Sequence, residues 1–503
     1  MSSKGADIEK SRPSFLRRHR WKLILLTVVV IVAVVLMAVL IPRSKSSNHT
    51  NFGADTNLDT PHPDSNSNAG NNSKPDVNTF DDTARPNSRV PPLNEPFPYG
   101  QLPVRGVNAG GWLVLEPFIA PSLFEGFQPE DGVIDEWTLC QKLGKIECKK
   151  RITKHYETFI TEADFKQMAE AGLDHVRIPI GYWALDIQDG EPFIDGSWDY
   201  LLKGINWARK YGLRVMVELH GAPGSQNGWN HSGRSGAVGF LNGPAGQQNA
   251  DRTMNVLVKI ADFFSKPEWK NVAPLLGILN EPTFSKMDKG LAEQWYYQAY
   301  DKLRNATAPE SPVLVYHEGF VGLNQWTGKF KAPQYKNVCM DVHNYLIFDL
   351  YLVAMSQQQK LDFVCSTWKQ DITTSNKNFG WTMVGEFSVA SNDCAKWLNG
   401  IRMGSRWDGT FPDNLGNPLC PTKPKCSCEG VDDWKTFTPE YKDFLSKYSQ
   451  FQMESFETSF GWFFWTWKTE NHVNPHWDYQ IGLEQGWMPK DAGNRQVKCP
   501  SNV

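Results

Sequence analysis

From about residue 98 onwards, short apolar runs of β type alternate with stretches that have helical apolar spacing. Eight of these runs are predicted to be strands, at residues 104–108, 175–179, 214–220, 276–281, 312–317, 338–345, 381–387 and 461–467. Eight strands that alternate with helices over about 400 residues predict an α/β fold, a single-domain (β/α)8 TIM barrel. A doubly wound open sheet is the alternative, but no glycine-rich dinucleotide or phosphate loop follows an early strand.

Helix signals lie between several of these strands. Residues 161–164 (Thr-Glu-Ala-Asp) have the pattern of a capping box and predict a helix that runs to Gly172. Residues 198–211 and 295–303 show helical spacing.

Residues 23–41 form an apolar run that is interrupted only by Thr27 and ends at Pro42. At about 1.5 Å per residue, a helix of this length would span about 28 Å, enough for the core of a bilayer. Basic residues are concentrated before the run, so the positive-inside rule places the N-terminus in the cytoplasm and the rest of the chain outside. We expect a cytoplasmic tail (1–22) and an uncleaved type II signal-anchor helix (23–41) in the plasma membrane; a cleaved signal peptide is the alternative.

Residues 42–97 are rich in Ser, Asn, Asp, Pro and Gly and carry few large apolar side chains. Such a segment cannot bury a core, so it is predicted to be a disordered stalk before a globular domain at 98–503. The formal net charge of −3 and the pI of about 6.4 give no indication of a nucleic acid partner.

The chain contains nine cysteines, and an exported protein with an odd number is expected to combine disulfides with a free thiol. Cys339 lies in an apolar run and is predicted to be the buried free thiol. Cys426 and Cys428 could suggest a metal site, but no histidine or second cysteine pair has suitable spacing, so a disulfide is favoured. Sequons for N-glycosylation occur at Asn48, Asn71, Asn230 and Asn305.

The predicted fourth strand ends in Asn280, Glu281 and Pro282. A carboxylate at the tip of a buried strand is poorly solvated, so the pKa of Glu281 is expected to be raised, which suits a proton donor. An ordinary strand-to-loop transition with a solvent-exposed Glu281 is the alternative.

In a barrel, functional residues gather at the carboxyl ends of the strands. Polar and aromatic residues lie at these ends: Arg177, His220, Glu281, His317, Glu318, His343, Tyr345, Glu386, Trp465 and Trp467. Glu281 and Glu386 end the fourth and seventh strands, and glycoside hydrolysis needs two such carboxylates, about 5–5.5 Å apart in a retaining enzyme. Because His220, His317 and His343 are scattered rather than spaced as ligands, no metal and no cofactor is expected.

Several longer motifs narrow the choice of protein family. The chain contains, in order, RGVN (105–108), GWLVLEP (111–117), VRIPIGYW (176–183), HGAPGSQNG (220–228), LNEP (279–282), VGEF (384–387), DCAKWLNG (393–400) and WTWKTEN (465–471). Over about residues 98–500 it resembles the fungal exo-β-1,3-glucanases of glycoside hydrolase family 5.

This resemblance implies that Glu281 is the acid/base and Glu386 the nucleophile. Tyr345 by hydrogen bonding and Arg177 by charge would keep Glu386 ionised, although a structural ion pair is the alternative for Arg177. The other implied substrate-binding residues are Asn280 for the 2-hydroxyl, His220 and His343 in the −1 subsite, Glu116 for the terminal glucose hydroxyls, and Trp467 beneath the ring. Alternation along the strand is expected to send Trp465 to the other face.

The resemblance also places two aromatic side chains, Trp229 and Phe348, at the cleft entrance, where they would clamp the +1 glucose. In the family an aromatic residue is followed by Asp-Asn-Ser-Gly, whereas this chain has Asn230 and His231 before Ser-Gly. We expect His231 to contribute to the substrate site and the Asn230 sequon to be poorly occupied.

Similar enzymes suggest a disulfide between Cys365 and Cys499, and Cys394 is expected to pair with Cys420 or a near neighbour. The expected protein is a monomeric, outward-facing exo-hydrolase that releases glucose from the non-reducing ends of β-1,3-glucan, with retention of configuration, in fungal cell-wall remodelling. The alternatives are a related hydrolase that acts on β-1,6-glucan or a glucosylated lipid, a transglycosylase, and a non-catalytic wall-glucan-binding protein.

Overall fold

The structure, a computed structural model, describes residues 80–307, 311–424 and 426–501. The predicted tail, the signal-anchor helix, the stalk up to residue 79 and the sequons at Asn48 and Asn71 lie outside the described residues. Within the described ranges, no helix is both long and apolar enough to span a bilayer.

Eight parallel strands form a closed barrel in which each strand pairs with the next and β1 pairs with β8. The strands are β1 (Val104–Asn108), β2 (His175–Gly181), β3 (Arg214–Gly221), β4 (Leu275–Gly277), β5 (Val313–His317), β6 (Val338–Asn344), β7 (Thr382–Phe387) and β8 (Gly461–Phe464). The predicted TIM barrel is confirmed. The largest differences are in β4 and β8, which end at Gly277 and Phe464, several residues before the predicted ends.

Helices alternate with most of the strands. They are α1 (Glu136–Thr158), α2 (Glu162–Glu170), α3 (Ser197–Lys210), α4 (Gly246–Phe264), α5 (Lys289–Ala306), α6 (Gln357–Phe363), α7 (Lys369–Asn378), α8 (Pro439–Phe456) and α9 (Tyr479–Gln485). The predicted capping box opens α2, where the Asp164 carboxylate accepts hydrogen bonds from the backbone N–H and the hydroxyl of Thr161, both at 2.8 Å.

An apolar cluster lies near the amino ends of the strands and includes Met216, Val315, Cys339 and Phe463. Cys339 is the free cysteine of the described residues and is fully buried, as predicted. A thiol in this position packs as a small apolar side chain. His175 and Arg214, at the amino ends of β2 and β3, are also buried there and are hydrogen-bonded.

Residues 80–97, which their composition assigns to the stalk, pack on the barrel. Val90, Leu93 and Phe97 are buried, and Arg89 forms an ion pair with Asp491 at 2.6 Å. Apolar residues separated by polar ones have low average hydropathy, yet Val90, Leu93 and Phe97 are covered. Residues 80–97 therefore belong to the globular domain rather than to the predicted stalk.

Four disulfides lie within the described residues: Cys140–Cys148, Cys365–Cys499, Cys394–Cys428 and Cys420–Cys426. The expected Cys365–Cys499 bond is present. Cys394 pairs with Cys428 and not with Cys420, so the correct partner is a near neighbour. Three cysteines lie within nine residues of one another here, and the course of the loop decides which of them faces Cys394.

Candidate active site

Two buried carboxylates, Glu281 and Glu386, approach each other at the carboxyl ends of the strands. His343 Nδ1 lies 2.6 Å from Glu281 Oε1 and 3.4 Å from Glu386 Oε2. Because both distances start from the same nitrogen, the two oxygens lie within about 6 Å of each other. Carboxylates this close can act together on one glycosidic bond.

The backbone after β4 brings Glu281 to this position. The N–H of Ile278 still donates to the carbonyl of Val315, and the N–H of Asn280 donates to that of Leu219, both at 2.9 Å. Glu281 then adopts a φ of +46°, a left-handed conformation that is uncommon for a residue with a Cβ atom. This turn, followed at once by Pro282, ends the regular alternation of side chains.

The Glu386 carboxylate is held at both oxygens. Arg177 Nη1 donates to Oε1 at 3.0 Å, and the Tyr345 hydroxyl donates to Oε2 at 3.1 Å. Burial raises the pKa of Glu386 to about 7, against the positive charges of His343 and Arg177. The two partners predicted for Glu386 are therefore both in contact with it.

The pKa of Glu281 is shifted in the opposite direction. Burial alone would raise it, but the charge of His343 and the hydrogen bond from its imidazolium hold it below its ordinary value. His343 itself is buried, yet the carboxylates of Glu386, Asp341 and Glu281 raise its pKa well above the ordinary range. The expected upward shift of Glu281 is therefore wrong, because the strand-tip argument omitted an imidazolium at 2.6 Å.

Arg177 organises the floor of the site. Its Nη1 also donates to Asn108 Oδ1 at 2.8 Å, and its Nη2 donates to Asn280 Oδ1 at 2.7 Å. Since the amide oxygen of Asn280 is occupied, its amide nitrogen is the group available for other partners, 3.4 Å from His220 Nε2. Arg177 is both a buried ion-pair partner and a positioning group, so its two predicted readings coexist.

Glu116 is a buried carboxyl group beside the pair. Its Oε1 atom has no hydrogen-bond partner among the described residues. Burial, followed by the negative charges of Glu386 and Glu281, raises the pKa of Glu116 well above its ordinary value. A neutral carboxyl with a free oxygen is suited to bind a sugar hydroxyl.

The two tryptophans after β8 do not lie where strand alternation predicts. The Trp465 ring lies parallel to that of His220 at 5.5 Å, and the Arg177 guanidinium lies 5.8 Å from its centroid. Trp467 is fully buried, donates from Nε1 to Asp164 at 2.9 Å and stacks on Tyr479. Because β8 ends at Phe464, strand alternation does not extend to these residues, and Trp465 is the ring that borders the site.

The cleft entrance carries exposed rings. Trp229 is 39% exposed and Phe348 42% exposed, so a ligand can reach both. Phe348 lies 5.5 Å from the Tyr345 ring on the Glu386 side, while Trp229 lies 5.5 Å from His231 on the Glu281 side. His231 Nε2 is 3.3 Å from Glu281 Oε2, and burial lowers the pKa of His231 to about 4, so the imidazole is neutral.

Three further residues of this region were not among the predicted site residues. Glu218 accepts from His220 Nδ1 at 3.0 Å and pairs with Arg177 at 3.2 Å; burial raises its pKa to about 7. Asp341 accepts the N–H of Gly385 at 2.6 Å. Both lie two residues before a predicted site histidine, so strand alternation places them on the same face and could have found them. The third, Phe320, packs edge-on against Trp229 at 5.6 Å and gave no such signal.

Histidines that are scattered in the sequence come together in space. Glu281, His317 and His343 each offer a ligand atom within 4.8 Å of the others, a set that could hold a metal ion. His343 Nδ1 already has a hydrogen-bonding role, since it contacts Glu281 at 2.6 Å. His317 Nδ1 accepts the N–H of Gly319 at 3.0 Å, and its Nε2 has no hydrogen-bond partner among the described residues. The geometry therefore describes a hydrogen-bonded proton network, and we assign no metal to it.

The two described sequons differ in their surroundings. Asn305 is exposed in the last turn of α5, whereas Asn230 is half-buried in the short helix Asn230–Ser232 beside the cleft. The Ser232 hydroxyl is buried and contacts the Ser225 hydroxyl at 2.6 Å. Low occupancy of Asn230 stays a prediction.

Comparisons with known proteins agree with this geometry. Residues 141–402 match the profile of the family Cellulase (glycosyl hydrolase family 5). The chain is 45% identical to "Probable glucan 1,3-beta-glucosidase D" of Aspergillus terreus and 43% identical to "Glucan 1,3-beta-glucosidase D" of Emericella nidulans. Each alignment covers 84% of this chain and 51% of the relative, so the chain spans about half the length of these curated relatives.

Among solved structures, AoRut matches with a TM-score of 0.60 and 19% identity, over 78% of this chain and 98% of that chain. The rutinosidase from Aspergillus niger matches with a TM-score of 0.59 and 19% identity, over 77% and 98%. These likenesses concern the fold. The family profile covers more than half of the chain, and the barrel carries a pair of carboxylates at its carboxyl end. The chain therefore belongs to glycosyl hydrolase family 5.

Proposed function

We propose that this chain is a retaining exo-hydrolase that releases glucose from the non-reducing ends of β-1,3-glucan. The observation that carries the mechanism is that Glu281 and Glu386 share His343 Nδ1, which keeps their facing oxygens within about 6 Å. This fits the ~5–5.5 Å of retaining glycosidases better than the ~6.5–9.5 Å of inverting ones. The linkage rests on the two relatives named as glucan 1,3-beta-glucosidases.

In the first step, the Glu386 carboxylate attacks the anomeric carbon and forms a glycosyl ester. The bond from that carbon to the leaving sugar breaks, and the leaving oxygen takes a proton from Glu281, which receives this proton from the His343 imidazolium across their 2.6 Å contact. Arg177 and Tyr345 hold Glu386 at both oxygens, so the nucleophile enters in one orientation.

In the second step, a water molecule attacks the anomeric carbon and gives its proton to Glu281. The ester bond to Glu386 breaks, and glucose leaves with its original configuration. His343 supports both steps, because its imidazolium can return a proton across the 2.6 Å contact when Glu281 must again act as an acid. Replacing water by a glucan hydroxyl would give transglycosylation, which is the second candidate activity.

The −1 subsite is formed by Trp465, the Asn280 amide and Glu116. Trp465 offers a ring against an apolar sugar face, and the Asn280 amide can donate to the 2-hydroxyl, a contact that strengthens in the transition state. The neutral Glu116 carboxyl would bind hydroxyls of the terminal glucose. Trp229 and Phe348 would hold the next sugar from two sides.

A panel of β-1,3-, β-1,6- and β-1,4-linked oligosaccharides tests the linkage. The expected result is release of glucose from laminari-oligosaccharides, and a preference for β-1,6-linked substrates would favour the related-hydrolase alternative.

A reducing-end-labelled oligosaccharide should shorten by one glucose at a time, whereas labelled fragments of mixed length would indicate endo action. Unchanged glucose release by Glu386→Ala would contradict the mechanism, and no release by the wild-type protein would favour a non-catalytic glucan-binding role.

We further propose that the enzyme is monomeric and works on the fungal cell wall while residues 23–41 anchor it in the plasma membrane in type II orientation. The apolar run and the basic residues before it support this arrangement. The protein should resist carbonate extraction from membranes, and added protease should degrade the catalytic domain of intact spheroplasts. Release into the carbonate supernatant would contradict the anchor.

A further inference from the structure

Lys360 is a buried lysine that the proposed mechanism does not use. It lies in α6, is 1% exposed, and its Nζ donates to the carbonyl of Leu346 at 2.9 Å and to that of Leu352 at 2.6 Å. No carboxylate of the described residues forms an ion pair with it, and burial lowers its pKa to about 7. Burying an ammonium group without a counter-ion is costly, so its contacts must serve the structure or the site.

These two carbonyls flank the tip of the loop that follows β6. Leu346 is fully buried at one side of the tip, as is Val353 just beyond Leu352, whereas Phe348 between them is 42% exposed. The loop begins at Tyr345, whose hydroxyl donates to Glu386 and whose ring lies 5.5 Å from that of Phe348. The Lys360 ammonium group therefore joins the two ends of the segment that carries Phe348, and this fixes the shape of the loop.

We propose that Lys360 is a positioning residue that fixes Phe348 for contact with the leaving or acceptor sugar. This inference rests on the proposed function, in which Phe348 forms one wall of the +1 subsite. Lys360 does not touch substrate. It acts by donating to the carbonyls of Leu346 and Leu352, the second of which also accepts the N–H of Met355 at 3.3 Å. Without the Lys360 contacts, the loop that carries the exposed ring would have to be ordered when the sugar binds, which weakens binding.

The Lys360→Met variant tests this role, because methionine fills similar space and donates no hydrogen bond. We expect kcat/KM for laminaribiose to fall by about tenfold, mainly through KM. β-Glucosyl fluoride occupies only the −1 subsite, so its kcat/KM should change by less than about twofold. Lys369→Met is the matched control, since Lys369 is partly exposed, pairs with Glu454 at 3.3 Å and lies one helix further along.

A double-mutant cycle separates positioning from general destabilisation. If Lys360 acts through Phe348, the Lys360→Met/Phe348→Ala double variant should be no worse on laminaribiose than Phe348→Ala alone. Multiplied effects, or an equal loss on β-glucosyl fluoride, would overturn the proposal. If Lys360→Met does not fold, Lys360→Gln, which keeps amide donors, should fold and show a smaller loss of kcat/KM on the disaccharide. A folded variant with unchanged kcat/KM on the disaccharide would also overturn the proposal.

The linkage and the role of Lys360 can fail separately. A wild-type enzyme that turns over β-glucosyl fluoride but not laminaribiose would contradict the proposed linkage. The cycle is then run on the disaccharide that the wild type does cleave, with the same expected pattern.

Discussion

His343 Nδ1 lies 2.6 Å from Glu281 Oε1, and this contact separates the pKa values of the two site carboxylates. Burial acts on both groups in the same direction, but the charge of His343 lies closer to Glu281 than to Glu386. The pKa of Glu281 is therefore lowered, while that of Glu386 is raised to about 7. Because the charges of Glu281, Glu386 and His343 interact over a few ångströms, the three groups should titrate as one coupled system.

The roles of the two carboxylates can be assigned by azide rescue. Glu386→Ala should lose at least ~10³-fold in kcat, because no nucleophile remains. Azide can enter the space left by the carboxylate, and rescue should yield α-glucosyl azide. Glu281→Ala should yield β-glucosyl azide instead, since the ester on Glu386 still forms. Interchanged products would reverse the assignment.

The His343→Gln variant should shift the whole pH–rate profile to higher pH. His343 lowers the pKa of both Glu281 and Glu386, so its removal raises both. The limb that needs ionised Glu386 and the limb that needs protonated Glu281 should then shift to higher pH, with kcat/KM reduced by roughly 10²-fold. The kcat/KM profile checks this, and a loss of rate with unchanged limbs would exclude the proton role.

Glu116 should tolerate conversion to glutamine better than to alanine. Its raised pKa favours the neutral carboxyl group, and Glu116→Gln keeps a neutral hydrogen-bonding side chain. We expect a loss of a few-fold in kcat/KM for Glu116→Gln and roughly 10²-fold for Glu116→Ala. Equal large losses for both variants would show that a carboxylate is required.

The two tryptophans after β8 should separate activity from stability. Trp465→Ala should lower kcat/KM by roughly 10²-fold, since its ring borders the site, and should destabilise the fold less than Trp467→Ala, which also loses a side-chain hydrogen bond. Trp467→Ala should destabilise the fold by about 3–5 kcal/mol, because a fully buried ring and its bond to Asp164 are lost. Kinetics and thermal unfolding of both variants check the pair, and the reverse pattern would restore the sequence-based assignment.

Glu457 should make stability depend on pH. Its carboxylate is mostly buried, but hydrogen bonds from Arg495 and Arg105 lower its pKa below the ordinary value. A lowered folded-state pKa stabilises the protein above the unfolded-state pKa, near 4.3, and this contribution is lost as the pH falls towards the folded value. Glu457→Gln should cost about 3 kcal/mol at pH 7 and flatten the acid side of the stability curve. Urea unfolding between pH 3 and pH 7 measures both effects.

The sequence by itself determined the architecture and most members of the site. Short apolar runs separated by helical patterns predict eight strands of a barrel, because a strand buried on both faces is continuously apolar whereas an amphipathic helix has helical apolar spacing. The ends of those strands must meet at one rim, so Arg177, His220, Glu281, His343 and Glu386 could be grouped before any distance was known. Alternation would also have found Glu218 and Asp341.

The tertiary structure decided what depends on distances between remote segments. Glu281 and His343 are 62 residues apart in sequence, and their contact lowers the pKa of Glu281. Burial at the tip of a strand, taken alone, predicts that this pKa is raised. Trp465, rather than the predicted Trp467, borders the site because the chain leaves the sheet at Phe464, where the alternation of side chains stops. The partner of Cys394 and the docking of residues 80–97 were likewise undetermined, because local spacing carries no information about which remote surface a segment meets.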